Sequence, residues 1–144
     1  RPGIHYRIGR TLLARGLDTG SGEDRSSATK EFEEELAIDP LNANAMYELA
    51  EIHRDSGELE DARQYFERAL QQYPRFEEAQ LGLGAVFMSL QKPEQALAHL
   101  QKAVELNGEN EVSWYRLSQV ERTLGNSGEQ RKAMEKFQQL HSER

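Results

Sequence analysis

The chain has 144 residues, of which 37% are hydrophobic and 30% are charged, a balance that fits one soluble, folded domain. Its 18 basic and 25 acidic residues give a net charge of −7, which would repel a phosphate backbone, so we expect no nucleic-acid partner. The lack of Cys excludes disulfides and thiolate sites, and the longest apolar stretch, residues 81–90, is about half of the roughly 20 residues that a membrane-spanning helix needs. No membrane insertion is expected.

The first predicted element is an apolar helix in which Ile4, Ile8 and Leu12 recur at helical spacing. The chain begins without Met, and nothing precedes this helix to cover its apolar face. We therefore expect a fragment of a longer protein. The alternative is that this helix mediates self-association with a second copy of the chain.

Residues 16–27 are rich in Gly, Ser and charge, which predicts a mobile loop between two helices. Asp18, Thr19 and Gly20 match the triplet of aspartic proteases, but that chemistry needs two such loops in a β scaffold. The loop also lacks the alternating oxygen ligands of an EF-hand. We predict neither catalysis nor a calcium site here.

The second predicted helix contains Ala28 and Phe32 and ends before Pro40. Its acidic run, Glu31 with Glu33–Glu35, is interpreted as a solvated face rather than as a binding patch.

From residue 43 onward the chain matches itself at an offset of 34 residues. A Leu followed by a small residue recurs at three places, and Ala and bulky apolar positions recur with it. The aligned sites are Leu49-Ala50, Leu83-Gly84 and Leu117-Ser118, then Ala62, Ala96 and Gln130, then Phe66, Leu100 and Met134. Small residues allow two helices to approach closely, so each period is predicted to be an antiparallel helix pair.

Turn signals divide each pair at the expected place. Gly16, Gly57 and Gly125 follow the predicted first helices, where a left-handed cap favours Gly, and Pro93 suits the first position of a helix. Asn126 and Glu129 resemble a capping box. The last helix is polar, which fits an end facing water; its polar residues are Gln130, Arg131, Lys132, Glu135, Gln138 and Gln139.

Two other patterns have structural explanations. Gly82-Leu83-Gly84 contains a GxG, but it lies within a helix, where it is interpreted as packing glycine. The four histidines lack a second His, Asp or Glu at a metal-binding spacing, so no metal or other cofactor is predicted; they are His5, His53, His99 and His141. No nucleophile and base are paired, so the chain is predicted not to be an enzyme.

The repeated pattern of Leu-small, then Ala, then a bulky residue and a final Pro, as in Pro40 and Pro74, resembles the tetratricopeptide repeat family. Trp114 supplies the opening aromatic of that family's pattern. The resemblance implies an all-α, right-handed superhelical α-solenoid of about four repeats and eight helices. It would form a single domain over residues 1–144, with repeats at about 2–42, 43–76, 77–110 and 111–142.

In this family the first helices of successive pairs line a concave groove. The resemblance places Tyr6, Tyr47, Leu81 and Tyr115 innermost, then Arg10, Glu51, Ala85 and Gln119, then Leu13, Arg54, Met88 and Arg122. Tyr and Arg frequently anchor protein interfaces. Alternatively, the tyrosines only pack on neighbouring helices.

The expected function is a non-catalytic scaffold that binds a peptide or protein segment in this groove. A chaperone carboxylate clamp is not expected, because the sites it needs hold Tyr6 and Arg10, or Tyr47 and Glu51. The alternatives are an assembly element and the repeat arm of a larger enzyme.

Overall fold

The computed structural model describes residues 22–143, and their side chains from residue 25. Seven helices and no strand lie within this range. They are α1 (Gly22–Ile38), α2 (Ala43–Asp55), α3 (Leu59–Gln72), α4 (Glu77–Ser89), α5 (Pro93–Leu106), α6 (Glu111–Thr123) and α7 (Ser127–Ser142). The all-α prediction is confirmed, while the predicted helix around Ile4 to Leu12 falls outside the described residues.

The chain divides into two compact units, residues 1–74 and residues 75–144. In the described part of the first unit, α2 and α3 form an antiparallel pair and α1 packs on α2. The core contains Phe32 of α1 and Leu49 of α2, both fully buried, together with small residues such as Ala28 and Ala45. Small side chains at these contacts let the helix backbones approach closely while Phe32 and Leu49 fill the space between them.

The second unit contains two antiparallel pairs, α4 with α5 and α6 with α7, and α5 also packs on α6. Leu83, Val86 and Leu100 form the centre of its core, and Ala96 and Ala103 of α5 are also fully buried. Gly84 is a packing glycine, because a Cβ atom added there would lie 2.5 Å from Cγ of Leu100. This contact accounts for the second glycine of the GxG pattern.

Within residues 22–143, the three turns that join a first helix to a second helix share one hydrogen-bond pattern. The amide of Glu58 donates to the carbonyl of His53 over 2.8 Å, and Lys92 and Asn126 make the same bond five residues back. This is the Schellman cap, which needs a left-handed residue before the donor. Gly57 and Gly125 adopt φ values of 79° and 78°, as predicted.

At the remaining turn Gln91 adopts φ of 60° although it has a Cβ atom. The predicted helix start at Pro93 is confirmed, since α5 begins there. Asn126 precedes α7, but its side chain makes no capping hydrogen bond, so the predicted capping box is wrong. Asn42 and Asn110, at the starts of α2 and α6, make such bonds instead, each accepting from a backbone amide over 3.0 Å.

Two expectations for the first repeat are corrected. Residues 22–27, predicted to belong to a loop over residues 16–27, are helical, because α1 begins at Gly22, and residues 16–21 lie outside the described residues. Ser within a helix costs only about 0.5 kcal/mol relative to Ala, which the burial of Ala28 and Phe32 outweighs. Glu35 is not solvated but fully buried, since it lies one helical turn from Phe32 on the same face.

The polar last helix faces water as predicted. Arg131, Lys132, Glu135 and Gln138 are exposed, and only Ala133 and Leu140 of α7 are buried. Among the described residues, no helix combines the length and the apolar character that a membrane span requires.

Candidate peptide-binding face

In the first unit, the candidate residues lie along one face of α2. Tyr47, Glu51 and Arg54 are four and three residues apart, and each is partly buried. Their helix is fixed by the burial of its opposite side, including Leu49 and Ile52. Tyr6 and Arg10, predicted to continue this face, lie outside the described residues, as does Leu13.

Arg54 is held by an ion pair on this face. Its Nη2 atom donates to Oε2 of Glu51 over 2.8 Å, and the two side chains are 27% and 21% exposed. Burial lowers the pKa of Arg54, but the hydrogen bond and the negative charge of Glu51 outweigh it, so the pKa lies above its ordinary value. Arg54 therefore presents a fixed positive charge at every physiological pH.

Tyr47 also contacts the second helix of its own pair. Its ring centroid lies 5.9 Å from that of Phe66, with the ring planes tilted by 58°. This edge-to-face geometry is favourable for aromatic rings. Tyr47 therefore packs on the second helix of its own pair, which is compatible with both interpretations of the tyrosines.

The second unit carries the other candidates on α4 and α6, which contact each other directly. Leu81 and Met88 of α4 are half-buried, whereas Ala85 between them is buried. Gln119 and Arg122 of α6 are exposed. This unit thus presents apolar side chains on one helix beside polar and cationic side chains on the next.

Tyr115 of α6 is also exposed, with 42% of its surface accessible. Its ring lies 5.3 Å from that of Phe137, tilted by 49°, and Phe137 in turn stacks on His141 at 5.6 Å. His141 Nδ1 lies 3.3 Å from Glu111 Oε1. The ring of Tyr115 is therefore held by α7 while much of its surface stays accessible.

Phe137 and His141 were missed in the sequence, because they belong to a second helix and not to a predicted groove position. The sequence does contain one indication of these contacts, a spacing of four residues on each helix. It separates Glu111 from Tyr115 on α6 and Phe137 from His141 on α7. Two such pairs on facing helices meet when the helices are antiparallel.

A further cluster places one histidine beside two carboxylates, which the spacing in the sequence did not indicate. His53, Glu58 and Asp61 place one ligand atom each within 4.8 Å of one another. They belong to the turn between α2 and α3, which reverses the chain and so brings together residues that look unrelated in the sequence. None of the three is among the candidate peptide-binding residues, although His53 directly precedes Arg54 in the sequence.

Two family models match the chain, and both are described as tetratricopeptide repeat. One matches residues 13–75 and the other matches residues 53–119.

Curated relatives include anaphase-promoting complex subunit 7 of Arabidopsis thaliana, 31% identical over 106 residues, which are 74% of this chain and 18% of that protein. The human protein O-mannosyl-transferase TMTC3 is 28% identical over 128 residues, 82% of this chain and 14% of that protein. The chain thus spans less than a fifth of either relative.

Among solved structures, YrrB, described as "a TPR protein with an unusual peptide-binding site", matches with a TM-score of 0.84 and 20% identity. The match covers 97% of this chain and 69% of that one. With the helix pairs described above, this likeness confirms the predicted fold class, an α-solenoid.

Proposed function

Because the chain belongs to the tetratricopeptide repeat family, we propose that it is a non-catalytic protein-interaction scaffold that binds an extended peptide or a helix on the face of its first helices. The observation that carries this proposal is the exposed ring of Tyr115, held against Phe137 beside exposed Arg122. The proposed binding residues are Tyr6, Arg10, Tyr47, Glu51, Arg54, Leu81, Met88, Tyr115, Gln119 and Arg122.

The proposal has energetic support, because a ligand would have to fix few flexible side chains when it binds. Binding costs about 0.5–1.5 kcal/mol for each flexible side chain that becomes fixed. Tyr115 is already positioned by Phe137, and Arg54 is already positioned by Glu51. Both residue types are among those that contribute most to interfaces.

The chemistry of the face favours a particular kind of peptide. Leu81 and Met88 offer apolar contact, and the flexible thioether of Met88 adapts to different side chains. Arg122 is exposed on the neighbouring helix, where it can pair with a carboxylate. A peptide that combines an aromatic or aliphatic residue with an acidic one fits this arrangement. YrrB, which shares this fold, is described as having a peptide-binding site, and this supports a peptide as the ligand.

Tyr115→Ala tests the proposal. Peptides would be selected from a random display library against the unaltered chain, and their dissociation constants measured by fluorescence anisotropy. Loss of an anchoring Tyr removes about 2 kcal/mol, so we expect binding to weaken roughly 30-fold.

Tyr73→Ala is the matched control, because Tyr73 is 52% exposed but follows α3 instead of lying on a first helix. It should leave affinity unchanged. Circular dichroism would confirm that both variants are folded. Equal affinity for the Tyr115→Ala variant and the unaltered chain would contradict the proposed face.

A second candidate function follows from the relatives. One of them is named as a mannosyl-transferase, and the chain spans 14% of it. In a longer protein of that kind, the same face would hold a substrate peptide for a catalytic domain elsewhere. The expected result is then that the full-length protein modifies the selected peptides and the 144-residue chain does not. Absence of modification by the full-length protein would reject this candidate.

A further inference from the structure

We propose that the turn between α2 and α3 binds a divalent transition-metal ion of the Zn²⁺ type through His53, Glu58 and Asp61. One imidazole nitrogen and two carboxylates lie together there, with all three ligand atoms within 4.8 Å of one another. The inference goes beyond the proposed peptide binding, since these residues are not on that face.

The geometry needs only a small adjustment. Zn²⁺ bonds of about 2.0–2.2 Å in a tetrahedron place ligand atoms about 3.3–3.6 Å apart. His53 Nδ1 and Glu58 Oε1 are already 3.1 Å apart. Glu58 and Asp61 are exposed, so their carboxylates can turn toward a shared ion without disturbing the core.

The backbone of the turn fixes where the three side chains begin. The bond from the Glu58 amide to the His53 carbonyl closes the turn, and Gly57 supplies its left-handed residue. Glu58 is the N-cap of α3, yet its side chain makes no capping hydrogen bond, so its carboxylate is not committed to the helix. Asp61 follows three residues later, on the same side of α3.

The imidazole of His53 is positioned by an aromatic neighbour. Its ring stacks on Tyr65 of α3 with centroids 5.5 Å apart and planes only 6° from parallel. The guanidinium of Arg68 lies over the ring of Tyr65 at 5.2 Å. A ligand held in one orientation loses less entropy when a metal binds.

The donor set selects the class of metal. Ca²⁺ requires six to eight oxygen ligands, and Mg²⁺ prefers oxygen and water, whereas a nitrogen with two carboxylates suits Zn²⁺ and its transition-metal neighbours. The two carboxylates would balance the charge of a divalent ion beside a neutral imidazole. Three protein ligands leave at least one coordination position for water or for a side chain of a partner.

Comparison of the repeats separates this site from simple packing. At the next repeat the corresponding residues are Phe87, Lys92 and Gln95. Phe87 stacks on His99 at 5.4 Å with planes 9° apart, so an aromatic ring alone satisfies the structural need of this position. The fold therefore does not require the three proposed ligands of the repeat over residues 43–76.

The consequence of binding would be a clamp between the end of α2 and the start of α3. An ion bound only by the folded turn stabilises the folded state by mass action. The thermal unfolding temperature should rise as Zn²⁺ is added, and this rise should require His53.

Calorimetric titration of the 144-residue chain with Zn²⁺ alone tests the proposal. One equivalent should bind. His53→Phe places in this repeat the residue that its neighbour already carries, so it keeps the stack on Tyr65 and removes the nitrogen ligand. Even loss of an outer-shell partner typically weakens a metal about 10- to 100-fold, so affinity should fall by about tenfold or more. Asp61→Asn, at an exposed position, should give a similar loss.

The matched control is His141→Gln. His141 also lies near a carboxylate, that of Glu111 at 3.3 Å. It is exposed at the end of α7, and this ion pair contains one carboxylate instead of two. Its replacement should leave Zn²⁺ affinity and the thermal shift unchanged. The proposal is overturned if the unaltered chain binds no Zn²⁺, if His53→Phe and Asp61→Asn bind it as tightly, or if His141→Gln removes the binding. Thermal unfolding without metal would show that each variant folds.

Discussion

At the scale of single residues, the position after the repeated Leu shows how tightly this fold limits side-chain size. It is occupied by Ala50, Gly84 and Ser118 in the three aligned repeats, and all three are buried. At Gly84 the space is smallest, since Leu100 of the facing helix occupies the place of a Cβ atom. The sequence predicted a small residue here, but the need for glycine depends on how Leu100 packs.

Gly84→Ala should therefore destabilise the protein. Overpacking a core costs about 1–3 kcal/mol, whereas Ala gains at most about 1 kcal/mol over Gly within a helix. Leu100 is fully buried and cannot swing into solvent to relieve the contact. We expect the free energy of unfolding to fall by about 1–2 kcal/mol, measured by denaturant titration followed by circular dichroism.

Gly128→Ala should have the opposite effect on stability. Gly128 also lies in a helix, near the start of α7, but a Cβ atom there would meet nothing within 4 Å. Only the gain in helix propensity remains, so stability should rise by up to about 1 kcal/mol. A rise for both variants would show that Leu100 yields easily and that the packing argument is wrong.

At the scale of elements, the sequence predicted helices better than it predicted turns. The first helices of the three aligned pairs begin at Ala43, Glu77 and Glu111, each 34 residues after the last, because periodic burial of small and bulky residues decides where helices pack. The left-handed conformation of Gln91 had no local signal. It results from the bond between the Lys92 amide and the Phe87 carbonyl, which the surrounding helices impose.

Side-chain contacts between elements were beyond the sequence pattern. Asn42 accepts a bond from the Ala45 amide at the start of α2, and its Nδ2 donates to Oε1 of Glu35 over 3.1 Å. One residue thus caps α2 and satisfies part of the buried carboxylate of α1. The acidic run looks solvated in the sequence because nothing there shows which of its members faces Asn42.

Replacement of Asn42 can separate these two roles. Asn42→Asp keeps a good capping residue but places a second carboxylate against Glu35, while Asn42→Ala removes both the cap and the donor. Loss of a cap costs about 1 kcal/mol, and loss of a partner to a buried polar group costs about 1–3 kcal/mol.

Both variants should lower the free energy of unfolding at pH 7, Asn42→Ala by about 2–4 kcal/mol, as measured by urea titration. Asn42→Asp should regain part of its loss as the pH falls, because protonation of the introduced carboxyl group removes the repulsion and restores a donor. Unchanged stability in Asn42→Asp at pH 7 would show that the bond to Glu35 contributes nothing.

At the scale of the whole molecule, the sequence predicts the repeat fold more completely than it predicts the candidate face. The repeat fold follows from the periodic burial of apolar and small residues, and that period can be seen in this one sequence. The face rests on a resemblance that supplies positions but not contacts, so Tyr115 could be named while Phe137, which holds its ring, could not. The cluster that we propose as a metal site also depends on contacts: His53, Glu58 and Asp61 become neighbours only when the turn reverses the chain.

Repeats of this kind share stability between neighbours, so a helix that packs on both sides should open less often than one that packs on one side. In the second unit α5 contacts α4 and α6, and its Ala96, Leu100 and Ala103 are fully buried. The equivalent residues of α7 remain partly exposed; they are Gln130, Met134 and Phe137.

Native-state hydrogen exchange should therefore show a gradient within this unit. Amides in the middle of α7 should exchange at least about tenfold faster than those in the middle of α5, once corrected for intrinsic rates, which corresponds to about 1.4 kcal/mol less free energy of opening. Equal protection of the two helices would mean that the unit opens all at once. The greater exposure of α7 would then not lower its free energy of opening. Since Tyr115 rests on Phe137 of α7, a peptide that binds Tyr115 should slow exchange in α7 more than in α5.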